Sequence, residues 1–151
     1  MARIELSKFI AASREQVWEV LADLEHQADW MVDVRRLDII TPNTSGVGAV
    51  VRVTSELFGQ PIVRDVMEVV SWEPPGLMVV EHRGQFHGTG EFRLDAAENG
   101  TIFTWVEDFR APLGRLGELA FAFVIRPHLE RVFARSMENV ARLATAPVSA
   151  A

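Results

Sequence analysis

A single carboxylate interrupts an aromatic strand near residue 105. Phe103, Trp105, Glu107 and Phe109 occur at every second position, so in a β-strand their side chains share one face. Because three of the four are aromatic, we expect this face to point into the protein. A carboxyl group buried there is unfavourable without a partner, and burial raises its pKa towards a range useful for proton exchange. Glu107 is therefore the first candidate for acid–base or ligand-orienting chemistry.

A basic partner for Glu107 is available near the C-terminus. Arg126 precedes Phe133 by seven residues and Met137 by eleven, which places it on the apolar stripe of a helix. The sequence thus predicts a Glu107–Arg126 pair inside the protein, and these two residues are the candidates for a catalytic role. The alternative is that Glu107 lies in water at an open end of the sheet, while Arg126 extends to the surface beside Pro127.

Other catalytic and metal-binding chemistries find little support. The four histidines, His26, His82, His87 and His128, include no pair at helical ligand spacing, so no metal site is predicted. The chain has no cysteine for a thiolate site or disulfide, and no tyrosine to act as a phenolic acid. No serine lies in a Gly-x-Ser-x-Gly motif, and the Gly-x-Gly segments lack a dinucleotide fingerprint, so no cofactor is expected.

Composition limits the class of protein. The 151 residues suit one domain with a proper core, and 48% are hydrophobic while 24% are charged. A net charge of −6 argues against nucleic acid or an anionic membrane surface as partner. The longest apolar run, Leu119 to Ile125, is too short for stable membrane insertion, and residues 1–10 lack a signal-peptide pattern. We therefore expect a cytoplasmic protein.

One long helix is predicted at the C-terminus. From Leu113 to about Thr145, large apolar residues recur at steps of three and four, the spacing of one helix face. Pro127 lacks a backbone N–H and is expected to kink this helix. Residues 1–145 are expected to form a single domain, and residues 146–151 a flexible tail.

Seven strands and two short helices account for the rest. The first strand ends near Ile10, Ser13 and Gln16 form a capping box for a helix, and a second helix or turn covers His26 to Met31. Turn-rich connections separate six further strands, which are therefore antiparallel: 34–41, 48–58, 62–72, 77–83, 86–95 and 101–111. The order β-αα-ββββββ-α predicts an α+β fold whose curved sheet wraps around the C-terminal helix.

The apolar faces predict a cavity between the sheet and the long helix. Phe, Trp and Met side chains suit flat or flexible apolar ligands. The alternative is a core that these aromatic side chains fill completely. The expected lining, besides Glu107 and Arg126, consists of Trp30, Val51, Val53, Phe92, Phe103, Trp105, Phe109, Phe123, Phe133, Met137 and Val140.

Short segments along almost the whole chain resemble those of a known superfamily. They are Ser13–Asp23, Trp30, Gly46–Gly48, Trp72–Pro75, Gly100–Trp105 and Asn139–Leu143. In order and spacing they resemble the START-like, or SRPBCC, superfamily, and within it the polyketide cyclase/dehydrase-like branch. The resemblance implies a helix-grip fold, like that of the birch pollen allergen, with an internal cavity for apolar or aromatic molecules. The superfamily shares a container and no single catalytic motif, so no particular reaction is implied.

Three functions are compatible with these observations. The leading one is a carrier or sensor that encloses a lipid, a quinone or a polyketide-like molecule. The alternative is a polyketide cyclase/dehydrase of the aromatase type, in which Glu107 or a histidine shuttles protons. The third is a protein-interaction module, which an exposed apolar patch over Leu113–Ile125 would favour. The identity of the ligand and the formation of a homodimer stay open.

Overall fold

Seven strands and three α-helices make up the computed structural model, which describes residues 2–110 and 113–147. The strands are β1 (Ala2–Ile10), β2 (Val34–Ile39), β3 (Val50–Leu57), β4 (Gln60–Glu73), β5 (Leu77–Arg83), β6 (His87–Ala97) and β7 (Gly100–Phe109). The helical segments are α1 (Arg14–Ala22), a 3₁₀ helix (Leu24–Asp29), α2 (Gly114–Ala120), a π-helical turn (Phe121–Ile125) and α3 (Arg126–Thr145). The predicted α+β order is confirmed. Ala111, predicted in the last strand, and residues 148–151 of the predicted tail lie outside the described residues.

All seven strands belong to one antiparallel sheet in the order β1-β7-β6-β5-β4-β3-β2. The first and last strands pair along their whole length, from Ala2 opposite Phe109 to Ile10 opposite Thr101. Register shifts interrupt the β2–β3, β3–β4 and β4–β5 pairs. Such irregularities bend strands and increase their twist, which lets the sheet curve around the C-terminal helix.

The first helix closes one side of the core and begins as predicted. Ser13 Oγ accepts a hydrogen bond from the N–H of Gln16, and Gln16 Oε1 accepts one from the N–H of Ser13. Val17, Trp18 and Leu21 form the buried stripe of α1. This helix lies against α3 and against β6 and β7. The capping box therefore fixes where a core-forming helix starts.

The C-terminal helix runs from Gly114 to Thr145 but changes its hydrogen bonding just before Pro127. At the end of the π-helical turn, the N–H of Arg126 donates to the carbonyl of Phe121, five residues back. Pro127 then occupies the first turn of α3, where its missing N–H is tolerated. The disturbance expected at Pro127 is thus a π-helical turn. In the described ranges, every helix is too short or too polar to cross a membrane.

Two polar side chains of α3 hold the segment that leads into β2. Ser136 Oγ donates to the carbonyl of Val132 and accepts from the N–H of Val32 at 3.1 Å. Asn139 Nδ2 donates to the carbonyl of Trp30 at 3.0 Å. Because Ser136 is fully buried, these bonds fix the 3₁₀ helix and its following loop against α3.

Candidate functional site

A histidine lies between two carboxylates on the inner face of the sheet. His82 on β5 has its Nδ1 2.5 Å from Asp65 Oδ2 on β4, and its Nε2 2.9 Å from Glu107 Oε2 on β7. The side chains of Asp65, His82 and Glu107 are 10%, 13% and 12% exposed, so all three are largely removed from water. We refer to these three residues as the charged triad.

Further N–H groups fix both ends of the charged triad. Asp65 Oδ1 accepts hydrogen bonds from the N–H of Val66 at 2.9 Å and of Gly84 at 3.1 Å. At the other end, Trp105 Nε1 donates to Glu107 Oε1 at 2.8 Å. Both nitrogens of the histidine ring face carboxylate oxygens, so the ring is held as an imidazolium that donates a hydrogen bond on each side.

Two glycines of β6 allow β5 and β7 to make this contact. Gly88 pairs with His82 and Gly90 pairs with Glu107 in the sheet register, so neither position puts a side chain between the histidine and the glutamate. A Cβ atom on Gly90 would lie 2.9 Å from Glu107 Oε1 and 3.1 Å from Val80 Cγ2. The glycines on this inner face therefore leave the space that the charged triad occupies.

His82 and a neighbouring carboxyl group, that of Asp33, have displaced pKa values. Burial lowers the pKa of His82, but the hydrogen bonds and charges of Asp65 and Glu107 outweigh it and raise the pKa to about 10. Burial and the charge of Glu107 raise the pKa of Asp33 to about 6, against the opposing effect of a backbone hydrogen bond. At neutral pH the imidazolium of His82 therefore lies between the carboxyl groups of Asp65 and Glu107.

A small cavity lies beside Glu107. Its volume is about 40 Å³, which is room for roughly three or four water molecules at about 10–15 Å³ each. Two lining residues, Gln27 and Glu107, have polar side chains, and Glu107 is the charged one. The Nε2 of Gln27 already donates to the carbonyl of Leu21 at 2.9 Å. The complete lining is Leu24, Gln27, Met31, Val51, Met67, Val69, Met78, Val80, Gly90, Phe92 and Glu107.

This cavity lies between the sheet and the 3₁₀ helix, which corrects the expected position beside α3. Of the predicted lining, Val51, Phe92 and Glu107 border it, and no described residue of α3 does so. Aromatic packing is the reason, because Trp105 stacks on Phe133 of α3 with ring centroids 4.3 Å apart. The other residues predicted to line a cavity there pack in or against the core: Trp30, Val53, Phe103, Phe109, Met137 and Val140.

The expected pair of Glu107 and Arg126 is also corrected. Glu107 pairs with His82, and no ion pair joins it to Arg126 within the described residues. The guanidinium of Arg126 lies 5.8 Å from the ring centre of Phe121, a cation–π arrangement. The buried Nε of Arg126 has no hydrogen-bond partner in the part of the chain that is described.

The expected position of Phe123 on the C-terminal helix is corrected as well. This side chain, predicted to line the cavity, is 78% exposed, whereas Phe121 is 4% exposed. The π-helical turn accounts for the exchange because it contains more residues per turn than an α-helix. The turn therefore rotates the residues before it relative to the buried face of α3. The apolar spacing of α3 does not predict which of those residues are buried.

Asp65 and His82 are missing from the residues predicted for the site, although strand alternation contained a signal for both. On β5, His82 follows Met78 and Val80 at every second position, and the side chains of Met78 and Val80 border the cavity. On β4, Asp65 precedes Met67 by the same step. A polar residue that continues an inward-facing row of apolar residues is a candidate for burial. This rule identified Glu107 on β7 but was not applied to β4 and β5.

The fold and site define a helix-grip protein, with a bent sheet against a long C-terminal helix and a charged group at an interior cavity. The chain belongs to the family described as "Polyketide cyclase / dehydrase and lipid transport", whose model matches residues 1–145. No curated relative matches the sequence significantly.

Solved structures share this fold at low sequence identity. A protein from Thermus thermophilus is 16% identical, with a TM-score of 0.81 over 96% of this chain and 98% of that one. Truncated norcoclaurine synthase from Thalictrum flavum is 13% identical, with a TM-score of 0.74 over 97% and 95% of the two chains. The Aha1 dimer from Colwellia psychrerythraea is 16% identical, with a TM-score of 0.65 over 97% and 98%. At these identities the similarity shows the fold alone.

Proposed function

We propose that the protein binds a hydrophobic or aromatic small molecule in its interior, as a carrier or a sensor. The observation that carries the proposal is the apolar cavity with Glu107 in its wall. A pocket that is mostly apolar and has one or two fixed polar groups is the usual form of a small-molecule site. The family description, which names polyketide cyclases and lipid transport, supports a lipid or a polyketide-like molecule as the ligand, and a quinone is a further apolar candidate.

The interior must expand to hold a ligand of that size. The cavity of about 40 Å³ is smaller than any lipid or polyketide. Met31, Met67 and Met78 contribute three of the lining side chains. Methionine is unbranched and has three rotatable side-chain bonds, so it can move aside at small cost and pack against varied shapes. We therefore propose that the ligand enters by displacing these three side chains.

Binding of a neutral fluorescent probe tests the proposal. Nile red, an apolar dye, should bind the purified protein with a blue shift and a gain in fluorescence. Val80→Phe would fill the cavity and should abolish binding. Val79→Phe, on the opposite face of the same strand, should bind the dye like the wild type. Equal binding by the two folded variants, or no binding by the wild type, would refute an internal site.

The charged triad favours a second candidate function, that of a polyketide cyclase/dehydrase. Glu107 lies at the cavity and could accept a proton from the carbon between two ketone groups of a substrate. His82 and Asp65 would hold that carboxylate in place. Benzoylacetone in D₂O tests this function: the protein should accelerate deuterium exchange at the central carbon, and Glu107→Gln should lose the acceleration. Exchange at the buffer rate with wild-type protein would eliminate the proposal.

An exposed apolar face favours the third candidate function, interaction with another protein. Leu113, Leu116, Leu119, Phe123 and Val124 are between 55% and 86% exposed, and α2 has no buried residue. Contiguous apolar surface of this kind marks interaction sites. A homodimer through this face should dissociate in Leu116→Glu during analytical ultracentrifugation. A wild-type chain that is monomeric at all concentrations would refute the dimer.

A further inference from the structure

Glu107 presents a hydrogen-bond acceptor to the cavity. A carboxylate has about four acceptor positions and no hydrogen to donate. Trp105 Nε1 and His82 Nε2 each occupy one of these positions, at 2.8 Å and 2.9 Å. A molecule whose polar end supplies a hydrogen of its own is therefore favoured here. A ketone, a quinone or an ionised acid offers only acceptors and would leave two acceptors facing each other.

The charge around Glu107 also distinguishes between ligands, because it favours a cation over an anion. Asp65, His82 and Glu107 together carry one positive and two negative charges when ionised, and Asp33 acts electrostatically on Glu107 from the loop before β2. Arg126, which faces Phe121, forms no ion pair with these carboxylates among the described residues. A cation that enters the cavity would offset the excess negative charge, whereas an anion would add to it.

Gly90 and the surrounding bonds fix where this charge lies. The carboxylate of Glu107 is held between Trp105 and His82, and Gly90 leaves the cavity open next to it. A group fixed in this way keeps its orientation without a ligand, so little ordering is required when one binds. The remaining lining atoms are those of apolar side chains, apart from Gln27, which bonds to Leu21.

We infer that the molecule bound here is an apolar or aromatic amine, whose ammonium group donates to Glu107 while its hydrocarbon part lies among the methionines. This inference rests on the proposed function and narrows its ligand class. It ranks an amine above the matching alcohol, which donates without charge, and ranks the matching acid last. Lipids, quinones and polyketides without a donor at one end would bind less tightly than a donor of equal size.

Displacement of bound Nile red by three matched compounds tests the inference. Phenethylamine, 2-phenylethanol and phenylacetate carry the same ring and differ in the polar end. At about pH 7 the first is a cation and the last an anion. The amine should displace the dye at a concentration at least about tenfold lower than the alcohol, and the acid should be weakest.

Two variants locate the effect. Glu107→Gln removes the charge and should reduce the preference for amine over alcohol to about threefold or less, a loss of about half a decade or more. Asp108→Asn is the matched control, because Asp108 is the next residue, lies on the outer face and pairs with Arg3. It should keep the wild-type preference. Should Glu107→Gln fail to fold, Asp33→Asn provides a second reduction of negative charge and should weaken amine binding without weakening alcohol binding.

The outcomes separate the inference from the proposed function. If Nile red binds and the alcohol or acid displaces it as well as the amine, or if none of the three displaces it, the inference is refuted and the internal site stands. If Asp108→Asn loses the preference as fully as Glu107→Gln, the inference is also refuted. If Nile red does not bind the wild type, both fail.

Discussion

Raising the pH from about 7 to about 9 should destabilise the protein through His82. In the folded chain the pKa of His82 is raised to about 10, because Asp65 and Glu107 accept hydrogen bonds from both ring nitrogens. In the unfolded chain a histidine titrates near 6.5. The stabilising contribution is therefore fully present below about pH 6.5 and is lost as the pH rises towards about 10. Replacing His82 with Gln removes this titration.

The size of the effect follows from the proton that the folded chain retains. Each pH unit between the two pKa values changes the free energy of unfolding by about 1.4 kcal/mol. Two units correspond to about 2–3 kcal/mol, or a decrease in Tm of roughly 5–10 °C for a domain of this length. Few other side chains contribute to a pH dependence in this alkaline range, because the chain has no cysteine and no tyrosine, and Lys8 is its single lysine.

Urea denaturation at several pH values measures this contribution. His82→Gln leaves two carboxylates without their cation, so it should be less stable throughout, and the slope of stability against pH is the informative quantity. That slope should be nearly flat in His82→Gln and unchanged in His87→Gln, whose side chain is exposed on the outer face of the sheet. Parallel slopes in wild type and His82→Gln would refute the charged triad. An NMR titration midpoint for His82 near 6.5 would refute it independently.

Two further substitutions probe the surroundings of Glu107. Gly90→Ala puts a Cβ 2.9 Å from Glu107 Oε1, so it should lower the free energy of unfolding by about 1–3 kcal/mol. Gly76→Ala, whose nearest contact would be 3.6 Å, should change it little; equal losses in urea denaturation would contradict this account. The pKa of Asp33 is raised to about 6, so stability should fall as the pH rises from about 4 to about 6. Asp33→Asn should remove about 1–2 kcal/mol of that decline, and an unchanged pH profile would exclude burial of this carboxyl group.

Much of the fold follows from local sequence signals. The capping box of Ser13 and Gln16 fixes the start of α1, because both of its hydrogen bonds form between neighbours in the chain. Strand alternation correctly places Phe103, Trp105 and Glu107 on the inner face of β7, since the period of two depends on backbone geometry alone. Features that are determined within a few residues can be predicted in this way.

The partners of Glu107 depend on contacts between distant parts of the chain. His82 reaches Glu107 only because the register of two strand pairs puts Gly88 and Gly90 between them, and register is not a local property. Arg126 fits the apolar stripe of a regular helix, but the π-helical turn before it alters that geometry.

Whether the interior is open or filled is a similar case. The number and spacing of aromatic residues do not reveal whether two rings stack across a gap or leave it empty. The stack of Trp105 on Phe133 occupies space beside α3, and the cavity next to Glu107 lies under the 3₁₀ helix. Side-chain packing in three dimensions decides whether a gap stays open. For this reason only some of the predicted lining residues border the cavity.

The most direct test of an internal ligand site uses NMR of protein carrying ¹³C-labelled methionine methyl groups. On addition of Nile red, the methyl signals of Met31, Met67 and Met78 should shift, together with the indole N–H signal of Trp105. The methyl signal of Met137, which is buried on α3 away from the cavity, should shift least. Shifts confined to the backbone amide signals of α2 in ¹⁵N-labelled protein, with the three cavity methionine methyl signals unchanged, would show that the apolar molecule binds at the surface and would contradict the internal site.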